Sequence, residues 1–255
     1  MKHLLDFVII SKSTAGGSAI LTLAPADGAA LPDILPGQFV EIKVEDSPAT
    51  MLRRPISVCD VTPDGHLVLL IKPVGDGTRR LCALPEGARI NILLPLGRGF
   101  SPAAAGERVL LVGGGVGAAP LVYLSRKLTE AGAKVTVAIG GRSAADLAGV
   151  LELYPEGVET VCSTDDGSRG TPGLITANEA FTREWDRICV CGPTPMMRAV
   201  ARIARQRNIT CEVSLENEMA CGLGACLCCV EKTVEGNLCV CKDGPVFNIN
   251  QLLWE

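Results

Sequence analysis

Three cysteines near the carboxyl end of the chain follow the spacing C-x4-C-x2-C, and they are Cys221, Cys226 and Cys229. This spacing is typical of plant-type [2Fe–2S] centres, in which four thiolates hold two irons. A fourth cysteine follows at Cys239 or Cys241, and the spacing does not choose between them. Because such a cluster moves one electron at a time, the sequence predicts an electron-transfer protein.

Two other uses of cysteine compete with this interpretation. A zinc ribbon normally pairs two C-x2-C units, whereas Cys226 and Cys229 form such a unit and Cys239-x-Cys241 does not. A disulfide scaffold is expected in short secreted chains, but this chain has 255 residues and its cysteines concentrate in the last third. We therefore favour iron–sulfur chemistry in a reducing compartment.

The net charge of −4 and the lack of a basic patch argue against nucleic acid or an anionic membrane as a partner. Asp6 interrupts the apolar amino terminus, which is unlike a secretory signal. The longest uncharged run, residues 109–125, contains four glycines and a proline and is short for a membrane span. We expect a cytoplasmic protein.

Residues 1–102 read as β-structure, because short apolar runs alternate with turn-forming residues. The runs are Phe7–Ile10, Ala19–Leu23, Phe39–Val44, Ile56–Val61, Leu67–Ile71 and Arg89–Leu94. Their even spacing predicts a small antiparallel barrel.

Two stretches of this region could bind an anion. Arg53 and Arg54 precede Pro55-Ile56-Ser57, and guanidinium groups match phosphate oxygens, although a solvated strand edge would show the same pattern. The second stretch is Ile71-Lys72-Pro73-Val74-Gly75-Asp76-Gly77-Thr78. Glycines followed by Thr78 at a helix start would expose backbone N–H groups, but an ordinary capped turn is an equal alternative.

Residues 103–210 alternate between strand and helix signals, which predicts a parallel α/β sheet. The strands are Val109–Val112, Val135–Ile139, Glu159–Ser163 and Arg187–Cys191, and the helices are Leu121–Ala131 and Met197–Arg207. The predicted domains are therefore 1–102, 103–210 and a cysteine-rich 211–255.

Loops at three strand ends predict a nucleotide site in this sheet, because such ends line one crevice. They are Gly113-Gly114-Gly115-Val116-Gly117, then Gly140-Gly141-Arg142, and finally Cys191-Gly192-Pro193. The glycine loop alone is a weak signal, since it lacks the full G-x-G-x-x-G register and no acid ends the second strand. Arg142 is not sufficient to favour NADP+ over NAD+.

Several motifs resemble the ferredoxin–NADP+ reductase superfamily and, within it, the electron-transfer subunits of type B dihydroorotate dehydrogenase. They are Arg53-Arg54-Pro55-Ile56-Ser57, the glycine loop, Cys191-Gly192-Pro193, Ser163-Thr164-Asp165-Asp166-Gly167-Ser168, Met219-Ala220-Cys221-Gly222-Leu223-Gly224-Ala225-Cys226, and Cys241-Lys242-Asp243-Gly244-Pro245. They occur in the family's order and cover essentially the whole chain. Ile56 stands where a tyrosine is commoner, and Cys228 and Cys239 are additional.

The resemblance implies three cofactors. FAD is expected on the barrel at Arg54, Pro55, Ile56, Ser57, Ile71, Lys72, Pro73, Gly77 and Thr78. NAD is expected on the sheet at Gly113, Gly114, Gly115, Gly117, Cys191, Gly192 and Pro193, with Cys191 near the nicotinamide. The [2Fe–2S] cluster is expected on Cys221, Cys226, Cys229 and Cys241, because the family's fourth ligand precedes Lys-Asp-Gly-Pro. Cys211, Cys228 and Cys239 are left without a role.

The resemblance also implies an oxidoreductase subunit of pyrimidine biosynthesis. Its partner would be an FMN-containing catalytic subunit that oxidises dihydroorotate, with two of each chain in the assembly. No base for that oxidation is evident in this chain, which agrees with its residing on the partner. Two alternatives remain: the flavin subunit of a ferredoxin–NADP+ transhydrogenase or soluble hydrogenase, and a non-enzymatic module with structural zinc.

Overall fold

The amino-terminal part of the chain is a closed barrel of six antiparallel strands. The computed structural model describes residues 1–45, 47 and 50–254. The strands are β1 (His3–Ala15), β2 (Ser18–Pro25), β3 (Phe39–Ile42), β4 (Arg54–Val61), β5 (Leu67–Ile71) and β6 (Arg89–Leu96), in the order β1-β2-β5-β4-β3-β6 around the barrel. Every second residue of β6 is buried, as the period of a strand requires. The predicted barrel is confirmed.

One helix, α1 (Asp76–Ala83), lies between β5 and β6. Gly75 occupies its N-cap position with an extended backbone. The hydroxyl oxygen of Thr78 accepts hydrogen bonds of 3.0 Å from the backbone N–H groups of both Val74 and Gly75. The turn is therefore fixed by the threonine side chain, and it presents the backbone N–H groups at the start of α1 in the way that anion sites use.

The remainder of the chain builds a seven-stranded sheet in the order β10-β9-β8-β7-β11-β12-β15. Its strands are β7 (Arg108–Gly114), β8 (Lys134–Gly141), β9 (Glu159–Thr164), β10 (Thr171–Pro172), β11 (Arg187–Cys191), β12 (Thr210–Ser214) and β15 (Val246–Asn248). All neighbours pair in parallel except β15, which runs antiparallel to β12. The helices are α2 (Ala119–Glu130), α3 (Ala144–Leu147) and α4 (Thr194–Gln206). The predicted parallel sheet is confirmed.

Helix α2 joins the sheet to the barrel. It packs against β4, where Arg126 forms a 2.7 Å ion pair with Asp60. The hydroxyl of Tyr123 donates a 3.1 Å hydrogen bond to the backbone oxygen of Ile34. These contacts fix the barrel beside the carboxyl ends of β7 and β11.

A second connection uses the segment that links β6 to β7. Arg187 of β11 is 4% exposed and donates a 2.8 Å hydrogen bond to the backbone oxygen of Ser101. Its guanidinium also lies 3.1 Å from a carboxylate oxygen of Glu107 and 3.5 Å from one of Glu212. The link between barrel and sheet is therefore held by a buried charge network.

The cysteine-rich end of the chain forms a hairpin, β13 (Val230–Thr233) with β14 (Gly236–Cys239), followed by the short helix α5 (Val240–Asp243). It then returns through β15 to the sheet. The sheet thus takes strands from both sides of residue 210, and the division at 102 and 210 stays a prediction. Among the described residues, no helix is long and apolar enough to cross a membrane.

Candidate functional site

A cavity of about 260 Å³ lies between the barrel and the sheet, and we call it the flavin cavity. Pro55, Ile56 and Ser57 of β4 line it on the barrel side, with Lys72 and Thr78 beyond them. The other residues predicted to hold the flavin do not line the cavity: Ile71 is buried in the barrel core, Pro73 is exposed, and Arg54 and Gly77 lie at the amino end of α1. The cavity is mostly apolar with a few polar groups, as expected for an aromatic cofactor.

Arg54 and Gly77 meet at the amino end of α1. A Cβ atom built on Gly77 would lie 3.1 Å from Cδ and 3.2 Å from Cγ of Arg54. The guanidinium of Arg54 is turned toward backbone oxygens, with Nε 3.0 Å from that of Arg53. A guanidinium beside free helix N–H groups fits a diphosphate, so the residues present are suitable for FAD.

A second cavity of about 380 Å³ opens at the carboxyl ends of the parallel strands, and we call it the nucleotide cavity. Gly114, Gly115 and Pro193 of the predicted site line it. Lys72 and the glycine loop border both cavities, since Gly115 lines the nucleotide cavity and Val116 the flavin cavity. The two cavities are therefore neighbours, as transfer of a hydride between two bound cofactors requires.

Gly113, Gly117 and Cys191 of the predicted nucleotide site lie beneath the cavity and do not line it. A Cβ on Gly117 would lie 2.5 Å from the backbone oxygen of Cys191, and one on Gly113 would lie 2.9 Å from Cα of Ala118. Cys191 itself is fully buried, and burial raises the pKa of its thiol well above the usual value. Glycine is needed here because two backbones meet.

Glu216 was missed by the sequence interpretation. It follows β12, lines the flavin cavity, and has a carboxylate oxygen 3.7 Å from Sγ of Cys191. Burial raises the pKa of Glu216, and its contact with Cys191 only partly opposes this. Its position directly after a strand of the same crevice could have indicated it.

Asp165 was noted as part of the motif Ser163-Thr164-Asp165-Asp166-Gly167-Ser168 but was not assigned to a site. Its backbone N–H donates a 3.0 Å hydrogen bond to the oxygen of Gly141, which carries its side chain to the wall of the nucleotide cavity. The wall of the nucleotide cavity therefore carries an acidic side chain directly after the third strand, β9, whereas no acid directly follows the second. Arg142 lines the same wall, but its side chain is 79% exposed and contacts Asp146 at 3.4 Å.

The four cysteines predicted to bind iron come together beside the barrel. Their thiols fall into two neighbouring pairs, Cys221 with Cys226 and Cys229 with Cys241, and the backbone N–H of Cys241 lies 3.3 Å from Sγ of Cys229. No three potential ligands in the described part of the chain lie close enough to hold a single metal ion. Two thiols for each of two irons is the arrangement that a [2Fe–2S] cluster needs, so these residues fit the cluster.

Backbone amides surround these sulfurs. The N–H of Leu223 lies 3.3 Å from Sγ of Cys221, and that of Gly224 lies 3.1 Å from Sγ of Cys241. Burial raises the pKa of Cys221, but hydrogen bonds from nearby amides outweigh it and lower this pKa to about 6. These amides therefore favour the thiolate of Cys221, which is the form that binds iron, whereas burial raises the pKa of Cys241 to about 12.

The three remaining cysteines of this region lie in different surroundings. Cys211 is buried in the sheet core, and burial raises its pKa to about 12. Cys228 is exposed, and Cys239 is buried with Sγ 3.9 Å from the oxygen of Gly224. None of the three takes part in the two thiol pairs described above, so their lack of a role stays a prediction.

The barrel, the parallel sheet and the two adjoining cavities define a flavin-dependent reductase of the ferredoxin–NADP+ reductase type, here with an iron–sulfur region at the carboxyl end. Residues 216–253 match the model of the iron–sulfur cluster binding domain of dihydroorotate dehydrogenase B. The chain belongs to the family of dihydroorotate dehydrogenase B (NAD(+)) electron transfer subunits, which confirms the predicted family and its three cofactors.

Two relatives illustrate this membership, and both are named as that electron transfer subunit. The protein of Shouchella clausii is 41% identical over 230 residues, which are 86% of this chain and 86% of that one. The protein of Desulforamulus reducens is 38% identical over 236 residues, 88% of this chain and 90% of that one.

Solved structures support the fold. One described as an NADH-dependent reduced ferredoxin–NADP oxidoreductase, studied for flavin-based electron bifurcation, has a TM-score of 0.86 and 30% identity over 97% of this chain and 90% of that chain. Phthalate dioxygenase reductase has a TM-score of 0.68 and 18% identity over 93% of this chain and 94% of that one, which shows a shared fold.

Proposed function

We propose that this chain is the electron-transfer subunit of an NAD+-dependent dihydroorotate dehydrogenase. Its partner is a catalytic subunit that carries FMN and oxidises dihydroorotate, with two of each chain in the assembly. Electrons reach this chain at the cluster and leave it on NAD+. When bound, the cluster supplies one-electron transfer, FAD converts single electrons to pairs, and NAD+ accepts the hydride.

The observation that carries this proposal is that one continuous segment, residues 215–221, runs from the flavin cavity to the first predicted cluster ligand. Leu215, Glu216, Asn217 and Met219 line the flavin cavity, and Cys221 follows two residues later. Two residues span at most about 7 Å, so the first cluster ligand lies next to the flavin cavity. This short separation supports a short electron-transfer distance between the two proposed redox sites.

Each site has a distinct set of residues in this proposal. Arg54, Gly77 and Thr78 hold the diphosphate of FAD, while Pro55, Ile56 and Ser57 bound its ring. The glycine loop and the segment Cys191-Gly192-Pro193 receive NAD+. Cys221, Cys226, Cys229 and Cys241 hold the cluster, with Cys241 rather than Cys239 supported by its hydrogen bond to the Cys229 thiol.

The first test uses a matched pair of variants. Cys241→Ser should abolish the visible absorbance and the electron paramagnetic resonance signal of the cluster while FAD content is kept. Cys239→Ser should keep both cofactors, because its sulfur stands outside the two thiol pairs. Loss of the cluster in the Cys239 variant alone would reverse the ligand assignment.

The second test is reconstitution. The purified chain, loaded with FAD and cluster, is combined anaerobically with its FMN-containing partner and dihydroorotate. Formation of NADH that requires both proteins is expected. A fully loaded complex that forms no NADH would refute the assignment of substrate and partner.

A second candidate is the corresponding subunit of a ferredoxin–NADP+ transhydrogenase. It is favoured by the solved bifurcating oxidoreductase, which superposes with a TM-score of 0.86. Its sequence identity of 30% is below the 41% of the dihydroorotate dehydrogenase relative. Reduction of NADP+ by reduced ferredoxin, without a response to dihydroorotate, would decide for this candidate.

A further inference from the structure

Glu41 is a buried carboxyl group on the outer face of the barrel. Its neighbours in β3, Val40 and Ile42, point into the barrel core. Because successive side chains of a strand point to opposite faces of the sheet, Glu41 points outward. It is nevertheless only 1% exposed, because the cluster-binding region covers it. Both of its carboxylate oxygens lack a hydrogen-bond partner among the described residues.

The group that covers Glu41 is the cluster-binding loop, residues 221–229. A Cβ atom on Gly222 would lie 2.9 Å from Cγ and 3.3 Å from Oε1 of Glu41. Gly222 directly follows the first predicted ligand, Cys221, and has a positive φ of 65°. The loop therefore lies on the carboxyl side chain, and glycine is required because no space remains for a larger residue.

Glu41 also borders the flavin side of the barrel. It pairs in register with Pro55 of β4, which lines the flavin cavity. Phe39, two residues earlier on the same strand face, lines that cavity as well. Glu41 thus stands between the two redox sites.

The nearby arginines do not satisfy this carboxyl group. The guanidinium of Arg53 donates hydrogen bonds to the backbone oxygens of Glu41 and Asn91, at 3.2 and 3.1 Å. Arg54 bonds to the backbone oxygens of Arg53 and Leu52. A buried carboxylate without a partner is destabilising, so burial favours the neutral acid at this position.

We propose that Glu41 is a positioning residue for the iron–sulfur centre, whose buried carboxyl group lies against Gly222, donates a hydrogen bond under the cluster-binding loop and raises the reduction potential of the cluster. This inference rests on the proposed cluster at Cys221, Cys226, Cys229 and Cys241. A donor near the cluster sulfurs stabilises the additional negative charge of the reduced state, and such bonds are one means by which proteins set these potentials.

The test compares two substitutions of similar size in the loaded protein. Glu41→Leu removes the polar group but fills the space, which buried sites usually tolerate. Glu41→Gln keeps a donor and the shape. Glu45→Gln is the control, since Glu45 is exposed and pairs with Lys43. The readout is the midpoint potential of the cluster, from a redox titration followed by electron paramagnetic resonance.

We expect a lower midpoint potential in Glu41→Leu, a value near wild type in Glu41→Gln, and no change in Glu45→Gln. Equal potentials in Glu41→Leu and wild type would overturn the inference. A similar upward shift in both Glu41 variants would also overturn it, because it would reveal a negative charge rather than a donor. If Glu41→Leu does not load the cluster, Glu41→Met takes its place with the same expectation.

These outcomes are separate from the failure of the proposed function. A wild-type protein that binds no cluster would refute that function directly. A loaded wild-type protein whose potential is insensitive to position 41 would refute only the role of Glu41.

Discussion

Gly77 allows the strictest test of the flavin site, because one methyl group there should weaken FAD binding without destabilising the fold. In Gly77→Ala the new Cβ would lie 3.0 Å from Cγ2 of Thr50 and 3.1 Å from Cδ of Arg54. Carbon atoms prefer separations of about 3.5–4.0 Å, so the Arg54 side chain must move by roughly half an ångström.

The steric cost of the added methyl group should weaken the binding of FAD. In the free protein Arg54 can turn into solvent, whereas its guanidinium is held in place when it contacts the FAD diphosphate. Overpacking of this kind costs about 1–2 kcal/mol, which corresponds to an increase of about 5- to 30-fold in the dissociation constant of FAD. Alanine is also a better helix former than glycine by about 1 kcal/mol, which offsets the close contact with Thr50, so the stability of the apoprotein should change little.

The assay is a titration of the apoprotein with FAD, followed by the quenching of flavin fluorescence, with thermal unfolding measured in parallel. Gly75→Ala is the matched control, because no atom of the described residues lies within 4 Å of its Cβ position and alanine adds no group that competes for the backbone N–H groups. Unchanged affinity in Gly77→Ala would show that the diphosphate does not bind beside Gly77, and an equal loss in Gly75→Ala would show that the loss does not arise from the Arg54 contact.

Two further predictions concern the sheet. In Asp165→Asn the preference for NAD+ over NADP+, measured as the ratio of kcat/KM values, should fall about 10- to 100-fold, because a carboxylate binds the ribose hydroxyl and repels a 2′-phosphate; an unchanged ratio would exclude this contact. Arg187→Met should lower the free energy of unfolding by about 3–5 kcal/mol, measured in urea, because Glu107 and Glu212 lose their buried partner. A loss below about 1 kcal/mol would mean that this network is not needed to hold the barrel to the sheet.

Local patterns in the sequence predicted most of the fold. The run Leu67–Ile71 coincides with β5, and Arg187–Cys191 coincides with β11. Helix α4 begins at Thr194 rather than Met197, because proline is well accommodated in the first helical turn. The pairing of β15 with β12 could not be predicted, since a three-residue strand carries no periodicity and its partner lies more than 30 residues away.

The candidate site also contains residues that local sequence patterns predicted and residues that such patterns did not predict. Cysteine spacing and glycine loops are local, so they indicated the cluster and the nucleotide crevice. Glu216 and Asp165 gained their places on the cavity walls, and Glu41 its burial, only when strand ends and loops from distant parts of the chain met. A carboxyl group is ordinary in a sequence and gains significance through its burial and its neighbours, which sequence spacing does not report.

The order of the redox sites follows from the course of a single stretch of chain. Strand β12 ends at Ser214 in the sheet that holds the nucleotide cavity. The next residues, through Met219, line the flavin cavity, and Cys221 then opens the cluster-binding loop, where Cys226 is exposed. Nucleotide, flavin and cluster therefore succeed one another within ten residues of sequence. In the proposed arrangement the cluster, which carries single electrons and no hydride, lies at the exposed end of this series, so a protein partner can exchange single electrons there while the hydride chemistry stays enclosed between barrel and sheet.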